Sequence, residues 1–227
     1  MSERPSDFIA ATGLRRVVAG SADVEIEELI VAGLAVRCIV TTSDGPLVGF
    51  QERAVWMGDP ILTLADLWPD KTRAMIVGLN PASKSVEIGH YYQGTSGRRQ
   101  LLRLANAGLF QMPAQGTFFE EAALTAGVGF TDLVKRPTRG EGDLAPAELA
   151  RGRASLMDAL RAREVPLVVC VFRQPADAVM GTKSTVGFQA TPTPWGGKLF
   201  RMPGPFDRAD RVDSQMQALK DALRSAQ

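Results

Sequence analysis

The chain has 227 residues, long enough for one large domain or one domain with an appendage, and 45% of them are hydrophobic, enough for a substantial core. Lys and Arg number 26 and Asp and Glu 25, a formal net charge of +1, so any anionic partner must be attracted by local arrangement rather than by overall charge. No apolar run approaches the roughly 18 residues of a membrane span, and the polar N-terminus MSERPSDFIAATG is unlike a signal peptide, so a cytoplasmic location is expected.

In chain order, LAVRCIVTTSDGPLVGFQERAVWMG shows two β-rich runs around Ser43-Asp44-Gly45-Pro46, and the Asp-Gly pair predicts a hairpin over Leu34 to Trp56. DPILTLADLWPDKTRAMIVGLNP reads as a short helix, a turn at Pro69-Asp70 and a strand from about Arg73 to Leu79. That strand is continuously apolar, as a parallel strand covered on both faces should be. From Ser96 the period changes: Leu101, Leu104, Ala105 and Gly108 recur at helical spacing, with Arg98, Arg99 and Arg103 on the other side. Ser96 suits an N-cap and Gly108 a terminator. A second helix is expected over Phe118 to Thr125 and a short strand in GVGFTDLV. LAPAELARGRASLMDALRAREV is the clearest helix, with Pro146 in its first turn and Leu149, Leu156, Met157 and Leu160 along its inner stripe. Pro166 to Phe172 is another apolar strand, QPADAVMG a short helix, and GGKLFRMP a final strand. The chain closes on a helix with Val212, Met216, Leu219 and Leu223 inward.

Strands alternating with helices after residue 60 predict a three-layer α/β/α domain with a central, largely parallel sheet, over residues 60–227. Residues 1–59 are expected to form an N-terminal extension carrying the hairpin. Cys38 and Cys170 lie in apolar stretches, as buried thiols do. Two cysteines cannot hold a four-thiolate cluster, and His90, the only histidine, makes a His-based zinc site an unfavoured reading. No metal and no cofactor is expected.

Ligands of such sheets bind beyond the carboxyl ends of the strands. GLNPASKSVEIGHYYQG leaves the sheet there, with no periodicity of its own, and a loop of about sixteen residues in a compact domain suggests function. Pro81 biases Asn80 toward an extended backbone, which would present its amide at a fixed place.

The run from Gly78 to Phe110, with GLNP, Gly89-His90, a tyrosine two residues after that histidine and a small-residue turn into a helix, resembles the thymine-DNA glycosylase and mismatch-specific uracil-DNA glycosylase branch of the uracil-DNA glycosylase superfamily. GVGFTDLVKRPT, Gly127 to Thr138, also matches, and RMPGPFDRADRV matches weakly. The likeness spans roughly Leu62 to Ala222. It implies a monofunctional DNA repair hydrolase that removes uracil or a related damaged or mismatched pyrimidine in base excision repair. Its partner would be double-stranded DNA with a flipped base, read by an aromatic face and by backbone or amide hydrogen bonds.

Carried over position by position, the resemblance implies that Asn80 positions the attacking water or contacts the sugar, and that Tyr92 stacks on the base. Asp132 would polarise water or stabilise cationic sugar. Substrate contacts are implied at Gly78, Leu79, His90, Tyr92, Gly204 and Phe206, and phosphate contacts at Ser96, Arg98, Arg99, Lys135, Arg136 and Arg208. From the residues alone, Asp132 reads equally as a turn cap, Asn80 as an Asx-turn, and Tyr92 as a packing aromatic. His90 reads as a structural hydrogen bonder or phosphate contact rather than a general base.

Two departures stand out. The last block of the family carries a Pro-Asn-Pro-Ser or Pro-Ser-Ser-Ser type turn where this chain has Pro203-Gly204-Pro205-Phe206, with Asp207 and Arg208 following, and a glycine-lysine pair after the apolar strand is Gln174-Pro175 here. Phe206 or Arg208 is left to fill the gap behind an extruded nucleotide. A catalytically weak or inactive nucleic-acid or nucleobase binder on the same scaffold is the alternative, and a small-molecule nucleoside enzyme a third.

Overall fold

The computed structural model describes residues 25–31, 34–40, 47–114, 118–139 and 141–225. Five strands make the central sheet: β5 (Ala74–Gly78), β6 (Val128–Asp132), β7 (Leu167–Cys170), β8 (Gly187–Phe188) and β9 (Lys198–Arg201). Their order is β6-β5-β7-β9-β8, with every pairing parallel except β8 against β9.

Continuous apolarity in β5 has the cause expected of it, because alternate residues serve opposite faces. Ala74 and Ile76 join the layer containing α2 (Thr95–Asn106), α3 (Phe119–Thr125) and α6 (Ala209–Arg224), through Leu101, Leu104, Phe119, Leu124 and Leu219. Met75 and Val77 face α4 (Pro146–Ala162) and α5 (Arg173–Met180), through Leu156, Leu160, Ala176 and Val179. Helices therefore cover both faces, and the architecture is the three-layer α/β/α one. No helix among the described residues is long and apolar enough to cross a membrane.

Upstream lie two hairpins, not one spanning Leu34 to Trp56. Strand β1 (Glu25–Val31) pairs antiparallel with β2 (Leu34–Val40), and β3 (Gln51–Trp56) with β4 (Asp59–Leu64). The Ser43–Pro46 turn lies outside the described residues. β3 turns back at Met57 and Gly58, whose φ angles of 54° and 97° are both left-handed, as a two-residue turn of the mirror type requires. Residues 59–64 are consequently a strand where a short helix is expected from sequence.

Two further boundaries move. α1 (Ser83–Ile88) occupies part of the segment read as a bare loop, closed by Gly89 at φ 81°. α2 starts after Gly94, not at Ser96. The free edge of β6 is covered by Leu67, which exchanges two backbone hydrogen bonds with Phe130 (2.8 and 3.0 Å).

Gly152 lets α4 approach the segment after β6. A Cβ there would clash with the carbonyl oxygen of Leu133 and meet Val134 Cγ2 at 3.5 Å. On helix propensity alone Gly152→Ala would stabilise by about 1 kcal/mol, whereas the backbone clash costs about 1–3 kcal/mol. The clash is expected to win, so denaturant unfolding should show net destabilisation of Gly152→Ala. A gain in stability would contradict this packing.

Candidate active site

The parallel register sets Gly78 beside Asp132 at the carboxyl ends of β5 and β6. Beyond Gly78 the chain stays tied to the segment after β6. Leu133 N donates to Gly78 O (3.0 Å), Val134 N to Leu79 O (2.8 Å) and Thr138 N to Pro81 O (3.2 Å). Leu79 is buried among Val77, Leu133 and Trp56, so its side chain belongs to the core. Asn80, half-buried, directs Nδ2 to Thr138 Oγ1 (2.8 Å) and to Arg136 O (3.1 Å), with Pro81 O at 3.4 Å. All three bonds use the nitrogen, and the carbonyl edge of the amide is the one left to meet a ligand.

Asp132 is 4% exposed, and among the described residues no hydrogen bond reaches its carboxylate. A Cβ on residue 78 would clash with Asp132 Oδ1 and sit 2.8 Å from the Tyr92 hydroxyl. Glycine at 78 therefore lets two polar groups share one small space. Tyr92 enters it from a strained backbone, φ 56°, and Gly97 of α2 makes room, since a Cβ there would lie 2.8 Å from Tyr92 Cβ. The ring is half-buried, 6.4 Å from Phe130, while the hydroxyl is wholly buried without a hydrogen-bond partner. An unpartnered buried hydroxyl is costly, and such exceptions concentrate where a ligand or water completes the set.

Burial pushes the Asp132 carboxyl up to about 7, with Asp66 adding to the shift and Lys135 opposing it. Burial, Asp132 and Cys170 together hold the Tyr92 phenol well above its ordinary value. Lys135 makes an ion pair with Asp66 and donates to Thr131 Oγ1 (3.0 Å) and Asp132 O (2.9 Å). Glu52 of β3 belongs to the same charge cluster, and burial, then Asp66, raise it to about 7 as well.

His90 sits apart from that space. Its ring stacks on Phe118 (3.4 Å between centroids, 7° between planes) and meets Phe50 edge-on. Nδ1 lies 3.4 Å from Oε1 of the buried Glu120 without hydrogen-bond geometry. Glu120 in turn accepts from the backbone N–H of Tyr91. His90 thus helps seat the turn that delivers Tyr92.

The basic side chains divide. Arg98 and Arg99 are exposed near the start of α2 beside exposed Ser96. Arg208 is exposed, 3.3 Å from Asp210. Arg136 is instead clasped by buried Glu148, Nε to Oε1 and Nη2 to Oε2 at 2.7 Å each. The same clasp holds Glu148 down at about 2.

α2 also fastens the loop after β9. Gln100 Nε2 donates to Pro203 O (2.8 Å), Arg103 Nη1 to Gly204 O (3.0 Å) and Arg99 Nη1 to Pro205 O (3.1 Å). Asp207 Oδ2 accepts from Gly204 N at 2.8 Å, so this acid, awkward beside a phosphate, has an internal partner. The fastened loop presents Phe206, 81% exposed, with the Arg99 guanidinium 5.8 Å from its ring centre.

Sequence reasoning passed over Thr138, Glu148, Gln100 and Glu120. Thr138 lies within the GVGFTDLVKRPT block. The other three touch the site only through contacts more than 25 residues apart or through another side chain, and no local spacing announces them.

The raised carboxyl of Asp132 makes stability depend on pH. In the folded protein it keeps its proton up to about 7, while an unfolded chain releases it near 3.8, so the stability it contributes falls as pH rises across that window and levels off above. Asp132→Asn cannot ionise. It is expected to raise the thermal midpoint by several degrees at pH 8 and much less at pH 4. Equal shifts at both values, measured by calorimetry, would refute the buried-acid assignment.

Compared with known families, the chain matches the sequence model described as the uracil DNA glycosylase superfamily over residues 65–219.

Proposed function

The chain belongs to the uracil DNA glycosylase superfamily, and from that premise we propose that it hydrolyses the N-glycosidic bond of uracil, or of a related damaged or mismatched pyrimidine, in DNA, in the manner of the thymine-DNA and mismatch-specific uracil-DNA glycosylase branch. Membership supports a DNA glycosylase function in general terms. The finer reading rests on one observation: the pinned amide of Asn80 and the unpartnered carboxyl of Asp132 flank the end of β5 at Gly78, where the Tyr92 hydroxyl shares the same small space.

The chemistry asks for three things. Breaking the C1′–N bond leaves positive charge on the sugar and sends the bonding electrons to the base nitrogen. Water must then add its oxygen to C1′ and lose a proton. Asn80, its Nδ2 already engaged, would hold that water through Oδ1. An ionised Asp132 would stabilise the cationic sugar and take the proton, which makes it the general base. Tyr92 would lay its ring against the extruded base with its hydroxyl turned inward, and preorganised donors near the base oxygen would lower the cost of its developing charge. Every group named belongs to the chain, with no metal in any step.

Phosphate contacts in this reading fall to the exposed Arg98, Arg99 and Arg208, with Ser96 at the mouth of α2. Phe206 would fill the space behind the flipped nucleotide. Lys135 serves Asp66 and Asp132, so its part is to set local charge.

A second reading, a nucleic-acid binder without turnover, is favoured by the loop after β9. Its Gly204 N–H is taken by Asp207, and Pro203 and Pro205 have no N–H, which leaves few donors for a base.

A panel of uracil-containing, G·U and G·T oligonucleotides, cleaved with alkali after incubation, separates the two. Abasic product is expected from the wild type, reduced about a hundredfold or more by Asn80→Ala and comparably by Asp132→Ala. The excision rate should rise with pH through about 7 as Asp132 ionises, a dependence lost in Asp132→Asn. Binding without abasic product on any substrate at enzyme excess would establish the second reading instead.

A further inference from the structure

The β3–β4 hairpin ends at Leu64, before the segment that matches the superfamily begins at residue 65. Its contacts nonetheless run to both loops of the site. Phe50 N, just before β3, donates to Gly89 O (2.7 Å) and Gln51 Nε2 to Val86 O (2.6 Å), which holds α1 and the turn leading to Tyr92. On the other side Thr63 Oγ1 donates to Lys135 O (2.6 Å), and Trp56 Nε1 to Glu148 Oε1 (3.2 Å).

The last contact opens a chain of bonds. Glu148 is 6% exposed and accepts four donors: Trp56 Nε1, Arg136 Nε, Arg136 Nη2 and Ala145 N. A carboxylate so buried is tolerable only when paired and fully hydrogen-bonded. Its two-pronged grip, with Asp143 O accepting Nη2 at 2.8 Å, fixes Arg136. The backbone oxygen of that same residue receives Asn80 Nδ2.

An amide side chain can turn over and exchange its oxygen for its nitrogen with almost no change of shape. A peptide carbonyl only accepts, so Arg136 O tolerates Nδ2 and repels Oδ1. At 3.1 Å it is a closer carbonyl than Pro81 O at 3.4 Å, and therefore the stronger discriminator.

We propose that Trp56, Glu148 and Arg136 form a positioning relay that locks the Asn80 amide with its oxygen toward the ligand, which makes the β3–β4 hairpin a working part of the site. Arg136 acts here through its carbonyl, with its guanidinium spent on Glu148. Of the proposed function, the relay rests only on the role of Asn80 in holding water.

The relay is tested with Glu148→Gln, which retains shape and loses charge, and with Trp56→Phe, which retains a ring and loses the donor. Trp56→Phe is the milder change and carries the test if Glu148→Gln does not fold. Two readouts are needed. In the DNA-free protein, the Asn80 side-chain amide resonances, identified by their disappearance in Asn80→Ala, should shift and exchange faster with solvent in either variant. On uracil-containing DNA at enzyme excess, the excision rate should fall roughly ten- to a hundredfold for Glu148→Gln, with DNA affinity and its salt dependence unchanged.

In an Asn80→Ala background Glu148→Gln should cost nothing further, as expected of residues acting through one another. Unmoved Asn80 resonances would overturn the relay, and so would a full additional loss in the Asn80→Ala background. A weaker salt dependence of DNA binding would overturn it too, since that marks a lost phosphate contact at Arg136. Shifted resonances in the variants, together with a wild type that excises nothing, would leave the relay standing and remove the proposed reaction.

Discussion

The missing side chain at Gly78 is the constraint on which the site depends. At the carboxyl end of the strand that runs between β6 and β7, any Cβ would collide with Asp132 Oδ1 and press on the Tyr92 hydroxyl. Two residues from different elements thereby occupy space that a strand normally gives to its own side chain. The consequence is electrostatic: a carboxyl placed there loses its water, and burial pushes its pKa from 3.8 up to about 7. An acid poised there changes charge within the ordinary working range of an enzyme, which is what a proton acceptor needs.

The elements around this point divide the work between holding and presenting. Parallel strands fix Gly78 and Asp132, and the hydrogen bonds from the segment after β6 extend that register to Pro81. α2 serves twice. Its Gly97 admits Tyr92, and its Gln100, Arg99 and Arg103 hold the three successive carbonyls of Pro203, Gly204 and Pro205. The β3–β4 hairpin braces the opposite side. Such bracing is costly in buried polar groups, and at Glu148 the cost is offset by four hydrogen bonds.

Much of this was legible in the sequence, and the parts that were not have identifiable causes. The strands β5, β6, β7 and β9 and the long helices show in apolar runs and helical spacing, because burial on two faces or one stripe writes itself locally. The turn at Met57-Gly58 does not, since methionine at a left-handed φ has no propensity signal, and so residues 59–64 read as helix. α1 is six residues long, too short to show a period. Of the site, Asn80, Tyr92 and Asp132 stood out through a family likeness. The roles of Thr138, Glu148 and Gly97 depend on which loops meet, and a linear pattern carries no record of that. Arg136 shows the limit best: the family likeness implies a phosphate contact there, and nothing in KRPT announces the buried carboxylate 12 residues on that clasps it.

Charge is the remaining puzzle for a chain of net +1 that is proposed to act on a polyanion. Counting cations misleads, because Lys135 and Arg136 are paired inward while Arg98, Arg99 and Arg208 stay exposed around α2 and the loop after β9. The acids sort the same way. Asp207 is turned onto Gly204 N–H, and Glu52 and Asp132 are raised to about 7, so below that value both are neutral. The field over the site is thus more positive than the net charge implies, and one exposed arginine, Arg99, lies against Phe206 where it protrudes. In the proposed reaction one base of the bound strand lies at the end of β5. There the energy of burying one base could be set against the cost of keeping Asp132 and the Tyr92 hydroxyl unpartnered, because a ligand that pairs with both removes two standing penalties at once.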